Sequence, residues 1–495
     1  MIRMCRSHTL SIACNGGFDL FPISFIPQSL SAGYCEKHKY EISKEVSLLA
    51  LRSSLMESEI QRAEIARNRA SNAALPIHRL PEEVLSEIFL LSVSPINNHL
   101  WSSSFLAVCH RWRKYALRFP RLWSVITIYH DTALDELAIW LSRSASAPLH
   151  IQFRYQKSTR SPETIMAHFT AAYGIISSHS PRIRSLHVTG IPSVTTLLPL
   201  EFPTDTFWGL CLKWGTTDQP ASPLPVMGCD VSRNVQFLDL RGPEICRNAV
   251  HLCDLQFCSL MTLTLNQAVT VDSICKILPS CSSLEDLRWL YVDEGASWEW
   301  TMESFSLPKL SGLCISGSIS VPFIESCDMP DLLSLSITKP LRPMEDVVRH
   351  LIRLTTVSEI ELYSVSDARE DDFVSIFQNM PELERFSCDT WTPSNLRSLR
   401  ILNEYARDSK DGAIELNCPR LNTLVIDGVR SNPQWDEKWE VLQETLKRYL
   451  KPLLRKRSAE YDEPLTVYLP SIKVLDNFGS MDGIRLEEDD PLDWE

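Results

Sequence analysis

The chain has 495 residues, 44% of them hydrophobic and 22% charged, with a formal net charge of −13. That length calls for more than one structural unit, and the composition is globular rather than disordered. The acidic balance disfavours nonspecific nucleic-acid binding, and no run of about 18 or more apolar residues marks a transmembrane helix.

Residues 1–40 show no clear period and read as irregular. Arg3 and Arg6 precede a mixed stretch, 10–23, which Asn15, Gly16, Gly17 and Asp19 interrupt. That is a poor signal-peptide core, so an intracellular protein of cytoplasm or nucleus is expected. Over 41–72 good helix formers dominate, and 41–69 contains neither Gly nor Pro. Ile42, Val46, Leu49, Met56 and Ile60 recur at near-heptad spacing. The stretch reads as one amphipathic helix that packs on its own domain or self-associates through 41–69 as a short coiled coil.

Pro76 ends that helix, because proline lacks the N–H that the helix needs. A second helix is expected from Pro81 onward. Glu82 and Glu83 suit its positive end, and Val84, Leu85, Ile88, Phe89 and Leu91 form its apolar face. A loop over 92–104 comes next, then a helical stretch over 105–117 and the closing block Pro120-Arg121-Leu122-Trp123.

The order Leu-Pro-x-Glu-Val-Leu-x-x-Ile-Phe, a loop, Val-Cys-x-Arg-Trp-Arg-x-x-Ala and Pro-x-Leu-Trp resembles the F-box over 75–126. The form is the one found among fungal F-box-like proteins. The departure is the connection carrying Asn97, Asn98, His99 and Trp101, where a compact F-box runs almost directly into its second helix. The resemblance implies binding to a Skp-type adaptor and, through it, a cullin-RING ligase. Leu80, Pro81, Leu85, Ile88, Val108 and Trp112 would then lie at or just beneath the adaptor interface. The same residues also suit an ordinary helical hairpin core.

Residues 148–155 alternate and read as a strand that caps a repeat array. Beyond 180 a pattern of one apolar residue, two variable, one apolar, one variable and one apolar recurs. Its units begin at Ile183, Phe207, Val235, Leu260, Leu284, Leu310, Leu332, Val357, Leu383 and Leu421. These first positions lie 24, 28, 25, 24, 26, 22, 25 and 26 residues apart, then 38. Ile472 and Leu475 after Pro470 are a last echo. A repeat near 25 residues of this form resembles the leucine-rich repeat. The expected fold is α/β: a small helical F-box followed by a leucine-rich-repeat solenoid over 145–430, parallel strands inside and helices outside. Asparagine is missing three residues after the last repeat position, where Pro243, Ala268, Val292, Ser318 and Trp391 stand, so the solenoid is expected to be irregular.

The segment 431–482 reads as a C-terminal helix and cap. Over 437–457 Trp439, Leu442, Leu446, Leu450 and Leu453 share a face. Lys447, Arg448, Lys451, Arg455, Lys456 and Arg457 form a basic patch that reads as a solvated helix face balancing the acidic end, with a nuclear-import signal as the alternative. The segment 483–495 is an acidic tail.

Catalytic motifs for nucleotide binding, serine hydrolysis or zinc proteolysis do not occur. The 15 cysteines are odd in number and form no CxxC pair, so they read as reduced. His251, Cys253 and Cys258 match no zinc spacing and read as ordinary residues. No cofactor, metal, membrane or nucleic-acid partner is expected. Chemistry is therefore sought in binding, at residues between the apolar strand positions: Phe237, Asp239, Arg241, Asp286, Arg288, Glu359, Glu361, Tyr363, Arg385 and Asp389. The expected function is a non-catalytic substrate receptor of an SCF-type ubiquitin ligase. A repeat interaction protein working outside any ligase is the alternative, and a hydrolase or transferase on a repeat scaffold the remote one.

Overall fold

The computed structural model describes residues 32–92, 106, 108–155, 160–191, 206–214, 233–241, 256–266, 271–290, 304–340, 342–365, 367–389, 391–392, 395–404, 417–426, 444–445, 448–457 and 465–468. Residues 1–31, the connection at 93–105, the echo at Ile472 and Leu475 and the acidic tail lie outside these. The chain divides into two compact units, Met1–Pro81 and Glu82–Glu495.

The first unit is one long helix, α1 (Ala32–Ala74), and a short 3-10 turn, Pro76–Arg79. The helix starts at Ala32, so 32–40 are not irregular. Glu36, Lys37 and Lys39 favour a helix, and Gly33 falls in its first turn, where a poor former costs little. Ile42, Val46, Leu49, Met56 and Ile60 are all exposed along it.

The second unit opens with helices α2 (Glu82–Ser92) and α3 (His110–Arg118) and the 3-10 turn Pro120–Trp123. The expected stretch is broken rather than continuous: Leu106 and Val108 are helical, Cys109 is extended at φ −161°, and α3 begins after it, the Cys109 sulfur accepting from the Trp112 N–H at 3.4 Å. Phe89, Ala116, Leu122 and Trp123 form a small core here. Phe89 meets Trp112 edge-on at 5.0 Å, and the Trp123 indole donates to the Ala116 carbonyl at 2.8 Å. The Arg143 guanidinium lies 4.5 Å from the Trp123 ring centre.

The rest of the unit is α/β around one large parallel sheet. Its strands are β1 (Val125–Tyr129), β2 (Leu149–Arg154), β3 (Ile183–Ile191), β4 (Gly209–Trp214), β5 (Phe237–Arg241), β6 (Thr262–Asn266) and β7 (Asp286–Leu290). They continue as β9 (Gly312–Ser316), β11 (Ser334–Thr338), β12 (Glu359–Tyr363), β13 (Arg385–Cys388), β14 (Thr423–Ile426) and β15 (Thr466–Tyr468). The short pair β8 (Phe305–Ser306) and β10 (Cys327–Asp328) forms a separate ladder. Among the described residues the large sheet has 13 strands, which lie side by side in their sequence order, β8 and β10 being passed over.

The register explains the sequence repeat. Leu186, Leu210, Leu238, Leu263, Leu287, Leu313, Leu335, Ile360, Phe386 and Leu424 stand opposite one another across successive strands. They make one continuous buried row, and the third repeat positions, Val188 through Ile426, make a second. Alternation sends both rows to one face, because successive strand residues point to opposite sides. Each such buried side chain contributes about 1.5–3 kcal/mol.

Helices cover that face: α4 (Leu134–Arg143), α5 (Pro162–Ser177), α6 (Val271–Ile277), α7 (Ser320–Ser326), α8 (Met344–Leu351) and α9 (Glu370–Asn379). Phe169 of α5 meets Phe153 at 4.8 Å, Phe323 of α7 meets Trp289 at 6.1 Å, and Phe377 of α9 meets Phe386 at 5.1 Å.

Two strands lie outside the sequence pattern. β1 extends the ladder past β2, with Ile126 and Ile128 continuing the two buried rows. The segment read as a cap is therefore an internal strand. β15 pairs with β14, placing Val467 opposite Leu424, so the last described strand falls at 466–468 rather than near Leu475. The helical stretch 448–457 buries Leu450, Leu453 and Leu454. It does not carry one solvated basic face. Arg457 is 2% exposed, donating to the carbonyls of Asn417 and Leu421 at 2.8 and 2.9 Å. Lys456 donates to the Asn403 carbonyl, while Arg448, Lys451 and Arg455 stay exposed and Lys447 lies outside the described residues.

Candidate functional site

The sheet face away from the helices carries the residues between the apolar rows, and its chemistry changes along the strands. At β2 to β5 the outward residues include Arg154, Lys213 and Arg241, with one carboxylate among them, Asp239. Asp239 is 3% exposed. It accepts from Arg241 Nε at 2.8 Å and pairs with Lys213 Nζ at 3.3 Å, and the Cys211 thiol donates to it at 3.5 Å. It was expected as a recognition group, but it is committed to its neighbours. A buried charge must be paired, and these two cations pair it.

Aromatic rings frame the cations. The His187 ring stacks on Phe237 at 5.9 Å with 8° between planes. Burial above all holds His187 down to about 4; Asp239 opposes this, and Lys213, Arg154 and His150 add to it. His150 contacts Ser185 Oγ at 2.9 Å and faces exposed Trp208 at 5.9 Å. Burial, then the charge of Arg184, lowers its pKa. Both imidazoles are therefore neutral at pH 7. Burial and Asp239 push the Cys211 thiol far above its usual range, which removes it as a nucleophile.

The middle strands are nearly neutral. Asp286 and Arg288 of β7 pair with each other at 3.2 Å. β9 and β11 then offer Gly312, Cys314, Ser334 and Ser336. At β12 the sign reverses, with Glu359 exposed and Glu361 half-buried. Tyr363 ends that strand, and Arg385 stands opposite Glu359 in the register. Asp389 lies just beyond β13, and its carboxylate accepts from the Ser364 N–H at 2.6 Å. Ser364 has φ 57°, so this bond secures a left-handed turn, and Asp389 is a turn residue rather than a surface contact.

The sheet register adds Arg154, His150, His187 and Lys213, which are absent from the expected set. Lys213 comes directly after the third apolar position of its repeat, as Arg241 does in the next, and that shared offset was the available signal.

The helical segment is the other candidate surface. Leu85 is fully buried and Trp112 half-buried, while Ile88 and Val108 remain exposed, together with Val84 and Leu91. In the first unit Leu80 is half-buried and Pro81 exposed. A hollow of about 360 Å³ is lined by Glu82, Arg111, Lys114, Tyr115, Arg118 and Phe119, a cationic set.

Among the described residues no group of three or more His, Cys, Asp or Glu side chains is placed to hold a metal. His251 and Cys253 lie outside them, and Cys258 is exposed. Among the described residues no helix is long and apolar enough to cross a membrane. No family model matches the chain, and no curated protein does either.

Proposed function

We propose that the protein is a non-catalytic substrate receptor of a cullin-RING, SCF-type ubiquitin ligase. Residues 75–126 act as an F-box that binds a Skp-type adaptor. Residues 145–430 act as a leucine-rich-repeat solenoid that holds a protein target on the open sheet face. The agreement between ten repeat units and ten successive strands in one register supports the repeat body.

The observation that carries the adaptor reading is the apolar surface that the three-motif segment leaves uncovered. Its core is four buried residues. Ile88 and Val108 stay exposed on helices that resemble an adaptor-binding pair. A segment of about fifty residues buries too little by itself, and a partner's helices would complete the core. The contribution to ubiquitin transfer is then proximity: the target is held near the charged enzyme at high effective concentration, and no bond is made or broken by this chain.

The exposed stripe of α1 supports a further element of this reading. Ile42, Val46, Leu49, Met56 and Ile60 fit alternating steps of four and three, with one step passing over Ser53, so that α1 pairs with α1 of a second copy.

The test is co-purification with a Skp-type adaptor. Wild type should give a stoichiometric complex. Leu80→Ala with Pro81→Ala, and separately Ile88→Lys with Val108→Lys, should lose it while keeping the helical circular-dichroism signal. A well-folded wild type that binds no adaptor would sink the ligase reading and leave a repeat interaction protein working outside any ligase. Turnover of a small substrate, abolished by a single His or Cys substitution, would favour the enzyme instead.

A further inference from the structure

We propose that the β2–β5 end of the sheet face that the described helices leave uncovered is a docking site for an acidic segment of a protein partner, with carboxylates spaced three residues apart. The inference rests on the target-binding reading above and gives the target its chemistry. Arg154, Lys213 and Arg241 stand at the same level of their strands, in the ladder Arg154, Thr189, Lys213, Arg241. Adjacent strands lie about 4.8 Å apart, so Arg154 and Lys213, two steps apart, are separated by about 10 Å at the backbone. A segment in the polyproline II conformation rises about 3.1 Å per residue with about three residues per turn, so side chains three residues apart share one face and lie about 9 Å apart. A segment lying across the strands therefore sets one carboxylate on Arg154 and the next on the Lys213–Arg241 pair.

Charge complementarity selects the occupant. Three cations face one carboxylate here, and that carboxylate is buried between two of them at 2.8 and 3.3 Å. Asp239 thus shows the kind of group these cations accept, and its single charge leaves the patch cationic. The patch belongs to a chain of net charge −13. A long polyanion such as nucleic acid would meet the repulsive remainder of the molecule, whereas a short acidic segment meets only the patch. Glu359 and Glu361 at β12 repel its acidic groups and keep it at this end.

The experiment uses the full chain and fluorescence anisotropy with a short labelled peptide carrying glutamate at every third position. A twin peptide has glutamine in those places. The glutamate peptide should bind, more weakly as salt rises, and the glutamine twin should not. Arg154→Glu should weaken binding at least about tenfold, which is roughly 1.4 kcal/mol. Lys213→Gln leaves Arg241 to hold Asp239, so it keeps the fold and should weaken binding less. Glu361→Gln should not weaken it. Equal binding of the two peptides, or of wild type and Arg154→Glu, would overturn the proposal, as would no binding at all. So would a single-stranded oligonucleotide that binds more tightly than the peptide. Adaptor co-purification of the same variants separates the two readings. Peptide binding lost with the adaptor retained is a patch effect, and adaptor binding absent from wild type with peptide bound sinks only the ligase reading.

Discussion

His187 is stacked against Phe237, and burial above all, then Lys213, Arg154 and His150, lowers its affinity for a proton on folding. The consequence has a definite sign. Its pKa falls from 6.5 in the unfolded chain to about 4 in the fold, so the unfolded state takes up the proton first as pH falls. The stability it contributes is whole above about pH 6.5 and is lost as pH falls toward about 4. The urea midpoint should therefore drop between pH 7.5 and 5, and His187→Gln should make that drop shallower. An identical pH slope for wild type and variant would show that His187 is not the group responsible. His150 is lowered by burial as well, so the variant should flatten the slope without abolishing it.

Two kinds of element obey opposite rules. In the sheet, Phe386 is fully buried against Phe373, Phe377 and Trp391. Phe386→Ala should cost about 3–5 kcal/mol, measured by urea denaturation. On α1, Leu49 and Met56 are each 63% exposed, and their replacement should leave the fold of the chain unchanged. If α1 pairs with a second copy, Leu49→Lys with Met56→Lys should convert a dimer to a monomer in sedimentation equilibrium. A wild type that sediments as a monomer at every concentration would rule out that pairing. The elements were legible in the sequence to the extent that their apolar spacing was regular. Ten strands could be read from Leu-x-x-Leu-x-Leu because the two alternating positions must face the helices. β1 escaped although Trp123, Ile126 and Ile128 keep the repeat spacing, because Trp123 was read as part of the closing Pro-x-Leu-Trp block, and β15 because 465–468 breaks the period. The open face was less legible. The intervening-residue rule reaches Phe237 and Arg241, but whether Asp239 is free or committed depends on Lys213, which stands beside it only through the register.

At the scale of the molecule, the 13 strands run in sequence order, so each strand's ladder partners are its neighbours in the chain. Stability in such an array is close to a sum of local terms and neighbour interfaces. Phe386→Ala should therefore raise amide hydrogen exchange in β12 to β15 while β1 to β4 keep their protection. Equal loss of protection along the whole sheet would mean one indivisible cooperative unit instead.

The same strand order has a consequence for how the chain is made. Because the partner of each new strand has already been synthesised, a growing chain can add strands in the order they leave the ribosome, at about 5–20 residues per second. With successive repeat units near 25 residues apart, the exposed edge of the unfinished sheet would wait only about 1–5 seconds for its next strand. Among the described strands the longest step, 43 residues from Leu424 of β14 to its partner Val467 of β15, would be the slowest pause, and β14 the edge that stays open longest during synthesis.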